Sequence, residues 1–217
     1  MAKIKLSLST PIMESFRVAA IRGKFDLPEV NESKFNLDID FPLEDYPDWK
    51  IGAIVGASGS GKTRLAEHVY GKTPPIPWHS DRAFIDEFEP SLDIGEIIGA
   101  LSSVGFSSIP CYLQPFNTLS VGQAYRAVIA RHLLMAKNEI ILDEFTSNVD
   151  RVVAKGISVA LSKWSKNQPG KKIIVISCHK DILPWLEPDW VLDLDQQEFR
   201  WRSYKRPKTQ LRIYQSD

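Results

Sequence analysis

Gly56-Ala57-Ser58-Gly59-Ser60-Gly61-Lys62-Thr63 is the stretch on which the fold of this chain turns. It satisfies the phosphate-binding pattern G-x-x-x-x-G-K-[ST] at every fixed position. The flanks agree. Residues 49–55 (WKIGAIV) form an apolar run of strand length and residues 64–70 (RLAEHVY) read as a helix, so the motif falls on a strand-to-helix loop. Glycines let the backbone wrap a phosphate closely with several N–H groups turned inward, where side chains would block the approach. A helix starting near Lys62 adds its N-terminal dipole at the same place. Lys62 then serves as a point charge between β- and γ-phosphates and the Thr63 hydroxyl holds Mg2+, so the expected cofactors are ATP and Mg2+. An ordinary Gly/Ser-rich turn is the alternative, and what lies downstream decides against it.

The chain has 217 residues, 43% of them hydrophobic, with 27 basic and 27 acidic side chains. That allows one substantial core and room for a small second lobe. A net charge of zero supplies no global pull toward nucleic acid or an anionic membrane, so charge is judged locally. Cys111 and Cys178 lie far apart without metal-ligand spacing, which argues for a reducing compartment and against a disulfide scaffold. The N-terminal stretch lacks the apolar core of a signal peptide, and no run reaches the roughly 18 apolar residues of a membrane span. The expectation is a soluble, cytoplasmic protein without membrane insertion, organised as a single domain over 1–217.

Residues 1–8 alternate weakly, residues 15–25 (SFRVAAIRGKF) read as a first strand, and residues 35–41 (FNLDIDF) alternate strictly, as a half-buried strand does. After the phosphate-loop helix come a proline-rich loop, 71–78 (GKTPPIPW), and a short apolar strand broken by acids, 83–88 (AFIDEF). Asp93 with Glu96 makes a capping box for a helix to about Val104. A Ser/Pro/Cys stretch then leads to Leu119-Ser120-Val121-Gly122-Gln123, where Ser120 and Gln123 cap a second helix to about Ala136. Such a capped end with a glycine in its first turn can hold an anion, although a plain helix start has the same look.

Residues 139–145 (EIILDEF) end an apolar run in two carboxylates at the C-terminal tip of a buried strand, where ligands bind in open α/β sheets. Asp143 would reach Mg2+, usually through water, and Glu144 would polarise the attacking water. A long helix is expected from about Arg151 to Lys166, a buried strand at 172–177 (KIIVIS), and a closing strand pair at 191–194 and 198–203. His179 lies just past the KIIVIS strand, in reach of a γ-phosphate. A lone histidine elsewhere would read as structural. Trp185 and Trp190 (PWLEPDW) read as core and turn packing.

In this order of phosphate loop, Leu-Ser-x-Gly-Gln helix, apolar-Asp-Glu strand and downstream histidine, the chain resembles the ATP-binding cassette (ABC) ATPases over about residues 15–194. The most specific piece is LSVGQAYRAVIARHLL (119–134), which looks like the family signature and its helix, with Arg126 and Arg131 at the usual offsets. Residues 147–150 match the loop that follows the catalytic glutamate and crosses the dimer interface, and His179 matches the switch histidine. The resemblance implies an α/β P-loop NTPase of ABC type. It would have a mainly parallel sheet flanked by helices, an antiparallel β part at the N-terminus and a reduced helical subdomain at about 89–137. It also implies a head-to-tail homodimer with two ATP molecules sandwiched between the subunits. Each phosphate loop is then completed by Ser120, Gly122 and Gln123 of the other subunit, with Asp150 in the crossing loop and Glu144, His179 and Lys62 as catalytic groups.

There are departures from the family pattern. Val121 stands where glycine is common. The family's glutamine between phosphate loop and signature, a metal and coupling contact, is replaced by an acid, Asp86 (or Glu87), at the end of AFIDEF. Gln114 lies too close to the signature for that role. Phe25, at the end of the first strand, is the choice for stacking on adenine, with core packing as its alternative. The segment between AFIDEF and LSVGQ is short in the region that transporter cassettes use to dock membrane subunits, and no coiled-coil insertion is present. DEFTSNVDR, SCHKDILPWLEPDW and WKIGAIVGASGSGKT are similar to bacterial and phage soluble cassettes that occur beside, or fused to, an acetyltransferase domain.

Residues 200–212 (RWRSYKRPKTQLR) are basic, lack acids and include Trp201 and Tyr204, a mixture that can grip phosphates and stack bases. A closing strand with a solvated tail is the plainer account. The expected role is an ATPase switch on an unknown protein or nucleic-acid partner, in phage biology or genome defence. The energising subunit of a membrane transporter and a module that uses ATP only to dimerise are the competing readings.

Overall fold

The computed structural model describes residues 3–72, 77–136 and 138–205, so part of the proline-rich loop and the basic tail beyond 205 lie outside the described residues. Two compact units divide the chain, Met1–Pro47 and Asp48–Asp217.

In the first unit, β1 (Lys3–Pro11) and β2 (Glu32–Asp40) pair antiparallel from Lys3 opposite Asp40 to Pro11 opposite Glu32. Alternation sets the faces: Leu6, Leu37 and Ile39 are buried, while Lys5, Asn36 and Asp38 are exposed. Between the strands lies a helix, α1 (Phe16–Phe25), which corrects the expected strand at 15–25. Its signals were overshadowed by the β-branched and aromatic residues. Ser15 Oγ accepts the Val18 N–H, two alanines favour helix, and Asp26 ends the element in a left-handed conformation (φ 51°). Phe25 therefore closes a helix and is 65% exposed, so the strand-end geometry that suggested adenine stacking does not exist.

The second unit holds β3 (Ile51–Val55), α2 (Lys62–Tyr70), α3 (Ile94–Ser103), α4 (Ile109–Tyr112), α5 (Val121–Met135), β4 (Glu139–Leu142), α6 (Arg151–Lys166), β5 (Lys172–Ser177), α7 (Leu183–Leu186), β6 (Trp190–Asp193) and β7 (Glu198–Trp201). The sheet runs β4-β5-β3-β6-β7, parallel except for the β6-β7 pair. Ile51, Ile140, Ile173 and Val175 join Leu101, Ala127, Ile129, Leu133, Ile157 and Leu161 of α3, α5 and α6 in one buried cluster. Such continuous burial is what parallel strands covered by helices require. At the sheet centre Gly52 faces Trp190, whose ring atom would lie 1.9 Å from a Cβ at residue 52, so any side chain there would displace the indole. The expected elements at 151–166, 172–177 and the closing pair are present, as are the capping boxes of α3 and α5.

Residues 83–88 do not form the expected strand. Phe84–Glu87 is a 3-10 turn. A period of two would have put Asp86 on one face with Phe84 and Phe88. The turn instead sends Phe84 and Phe88 into the core beside Phe106 and Tyr112 and leaves Asp86 exposed. Glu87 is also buried, and His79 and Arg131 surround it. At the other end of the unit, Tyr204 packs on Ala53, Val55, Leu183 and Val191, Lys205 pairs with Asp189 at 3.4 Å, and Arg202 stacks on Trp201. The described part of the basic stretch is thus engaged in packing.

Candidate nucleotide site at the strand tips

Parallel strands bring their C-terminal ends to one edge of the sheet. The phosphate loop follows β3, Asp143 and Glu144 follow β4, His179 follows β5, and Asp195 follows β6. Gly61 precedes α2 at φ 86°, a left-handed conformation that releases the loop into the helix and that a side chain would strain. Lys62 is buried, and its Nζ donates to the carbonyls of Gly56 (2.9 Å) and Ala57 (2.7 Å), spanning the loop it must serve. Ala57, Ser58 and Gly59 are exposed.

Thr63 Oγ1 donates to Asp143 Oδ2 at 2.9 Å. Two hard oxygen ligands therefore stand side by side at the mouth of the loop, the donor set that suits Mg2+ shared with substrate phosphates. Among the described residues no group of three or more His, Cys, Asp or Glu could hold a metal alone, so such an ion would complete its shell from nucleotide and water. Asp86, exposed on its 3-10 turn, is not joined to this pair by any hydrogen bond among the described residues. Glu87 is committed elsewhere: it accepts from His79 N (3.1 Å) and Nδ1 (2.9 Å). Burial pushes its carboxyl up, but the His79 bonds and the Arg131 charge outweigh that and hold it below the usual carboxylate range.

Glu144 adopts φ 50°, an uncommon conformation for a side chain of this size, in a turn of six residues after β4. Its Oε2 accepts from Ser147 Oγ at 2.6 Å. The turn is fixed from two sides. Phe145 N donates to Ile176 O, and Thr146 N donates to the Tyr125 hydroxyl at 2.7 Å, which ties the turn to α5. Beside Thr63 and Asp143 a cavity of about 280 Å3 opens, walled in part by Ala66, Tyr125, Ile129 and Leu142. His179 is half-buried, with its N–H on Ser177 Oγ (3.0 Å).

Ser120 and Gln123 cap α5 reciprocally: Gln123 N donates to Ser120 Oγ (3.4 Å) and Ser120 N to Gln123 Oε1 (2.9 Å). Gln123 Nε2 also reaches Cys111 Sγ, and Gly122 O accepts from Arg126. Among the described residues none of these bonds reaches the phosphate loop. Asp150 caps α6 through the N–H groups of Val152 and Val153. Sequence reasoning missed three residues here: Tyr125, Lys180 and Asp195. Asp195 Oδ1 accepts the Ala57 N–H at 2.8 Å, from 138 positions away in sequence, and no local pattern announces such a contact.

No protein-family model matches the chain. Two sequence relatives are each named as a mitochondrial potassium channel ATP-binding subunit. The one from Xenopus tropicalis is 26% identical over 80% of this chain and 32% of its own length. The one from Rattus norvegicus is also 26% identical, over 80% and 31%. The chain thus spans about a third of the length of the curated relatives it matches. Among solved structures, a dimeric post-hydrolysis ATP-binding cassette bound to ADP and Pi matches with a TM-score of 0.56 at 14% identity, covering 80% of this chain and 94% of that one. A bacterial Atm1-family ABC exporter with ATP bound matches at 0.55 and 17%, over 77% and 34%. The chain therefore shares the fold of the solved ATP-binding cassettes and resembles them in the order of its motifs.

Proposed function

We propose that residues 1–217 act as one ABC ATPase domain that binds Mg-ATP between two head-to-tail copies and hydrolyses it, driving a conformational switch in a protein or nucleic-acid partner. The observation that carries this reading is the Thr63–Asp143 hydrogen bond, which joins the phosphate loop to the carboxylate strand. Mg2+ held there would neutralise charge on the phosphate oxygens. The remaining roles fall to the chain itself. Lys62 exchanges loop carbonyls for β- and γ-phosphate oxygens, Glu144 orients the attacking water and takes its proton, and His179 donates to the γ-phosphate. Ser120, Gly122 and Gln123 serve the partner copy's nucleotide. Gly122 supports this assignment: among the described residues a Cβ there would meet only Arg126 beyond its own helix backbone, at an ordinary 3.8 Å, so packing there does not demand a glycine.

The reduced stretch before the signature favours work away from a membrane, with phage biology or genome defence as the proposed setting. A second reading has its own support, since both curated relatives are named as the ATP-binding subunit of a channel. Both readings meet one experiment. Tagged Glu144→Gln is held in Mg-ATP, purified from lysate, and its companions are identified. Nucleic acid released by rising salt, or a soluble protein, supports the first reading. Co-purifying membrane subunits support the second.

A further inference from the structure

Lys180 follows His179 directly and begins a 3-10 turn, Lys180–Ile182. Its Nζ donates to both oxygens of Asp193, at 2.9 and 2.8 Å, and lies 2.9 Å from Asp195 Oδ2. Asp193 is 4% exposed, and its Oδ1 also accepts the N–H groups of Asp195 and Gln196, which fixes the turn after β6. That turn delivers the other oxygen of Asp195 to the Ala57 N–H. On the opposite side, Ser177 Oγ donates to Phe145 O (2.8 Å) while accepting the His179 N–H. The histidine turn is therefore bonded to the Asp-Glu turn two residues before His179 and, through two side chains, to the phosphate loop one residue after it.

Charge agrees with geometry. The Ala57 N–H and the Lys180 ammonium hold the Asp195 carboxyl below its usual range, and hydrogen bonds to Asp193 and Asp195 hold Lys180 above its own. The Lys180–Asp195 contact is open to water (39% and 37% exposed) and adds little to global stability, whereas Asp193 is buried and would lose its ammonium partner if Lys180 were replaced. The effect of the Lys180–Asp195 contact is on position.

Resting on the function proposed above, we propose that Lys180 and Asp195 are positioning residues that clamp the histidine turn to the phosphate loop, so that His179 keeps its place relative to the bound γ-phosphate. The clamp is read first without turnover, by amide hydrogen exchange on the full chain in the absence of nucleotide. Lys180→Met should raise exchange several-fold in peptides covering 56–61 as well as 178–182, with β3 and β5 still protected and the melting temperature lowered by the unpaired Asp193. Lys180→Arg should restore the wild-type pattern. A change confined to 178–182, with the phosphate loop as in wild type, overturns the clamp. In turnover, Lys180→Met should lower kcat about ten- to a hundred-fold with a smaller change in KM. Asp195→Asn should behave alike, and the double variant should be no worse than either single. Additive losses in the double variant overturn the coupling. A wild type no faster than Glu144→Gln removes the proposed ATPase function, and the exchange result then decides the clamp by itself.

Discussion

Two helix starts in this molecule offer N–H groups to an anion, and they are built differently. The start of α2 is embedded: Lys62 is buried, the loop before it is bound by its own lysine and by Asp195, and the Thr63 hydroxyl rests on Asp143. The start of α5 is turned outward. Ser120 and Val121 are exposed, and the Ser120–Gln123 box satisfies the end locally. One start has a carboxylate, a buried lysine and a hydroxyl bonded to that carboxylate within its own unit, while the other has donors and a bare glycine, with no such company among the described residues. On the proposed function, the difference means that the same local chemistry serves a site within the chain at one start and a site on a neighbour at the other, and what surrounds the helix end distinguishes the two.

The largest expected effect sets the frame for the rest. Glu144→Gln should lower kcat by about a hundred- to ten-thousand-fold while leaving ATP binding intact. It should elute as a dimer in Mg-ATP, and a monomer on size exclusion would break the head-to-tail arrangement. Lys62→Ala should weaken ATP binding by about a hundred-fold, or ~3 kcal/mol, measured by titration with a fluorescent nucleotide. Ser120→Arg should lose turnover with monomer binding of ATP retained, because it damages only the outward start. Mixing the Lys62→Ala and Ser120→Arg chains sharpens the contrast. Each mixed pair contains one undamaged composite site, so activity absent from either variant should reappear; no recovery would mean either that both helix starts act within one chain or that one intact site cannot turn over without the other. The smallest effect concerns the anchoring of α5 by Glu87 and Arg131. A carboxylate held below its ordinary value of 4.5 contributes stability that is complete above that value and is lost as pH falls through the lowered one. Acid unfolding of Glu87→Gln should therefore depend less on pH over that window than that of the wild type.

Much of the site was legible because its parts are contiguous. The phosphate loop carries its strand, glycines and helix within one short stretch, and both capping boxes are decided within four residues of sequence. The misreadings came where a local pattern admitted two answers. Residues 15–25 mix strand-forming side chains with a serine cap that needs three-dimensional context to count. AFIDEF reads equally as alternation or as a turn with aromatics four apart, and only the core around Phe106 and Tyr112 selects the turn. Contacts such as Asp195 to Ala57 and Tyr125 to Thr146 have no sequence signature, since the sheet order alone brings those segments together.

The Tyr125 hydroxyl has a consequence for kinetics. Tyr125 stands on the helix that begins at Ser120, and it braces the turn that carries Glu144. In the paired arrangement, the element that meets one subunit's nucleotide is thereby a strut of its own subunit's catalytic turn. Occupancy of one site would then set the geometry of the other, and the dependence of rate on ATP concentration would be sigmoidal, the signature of two sites that fire as a unit.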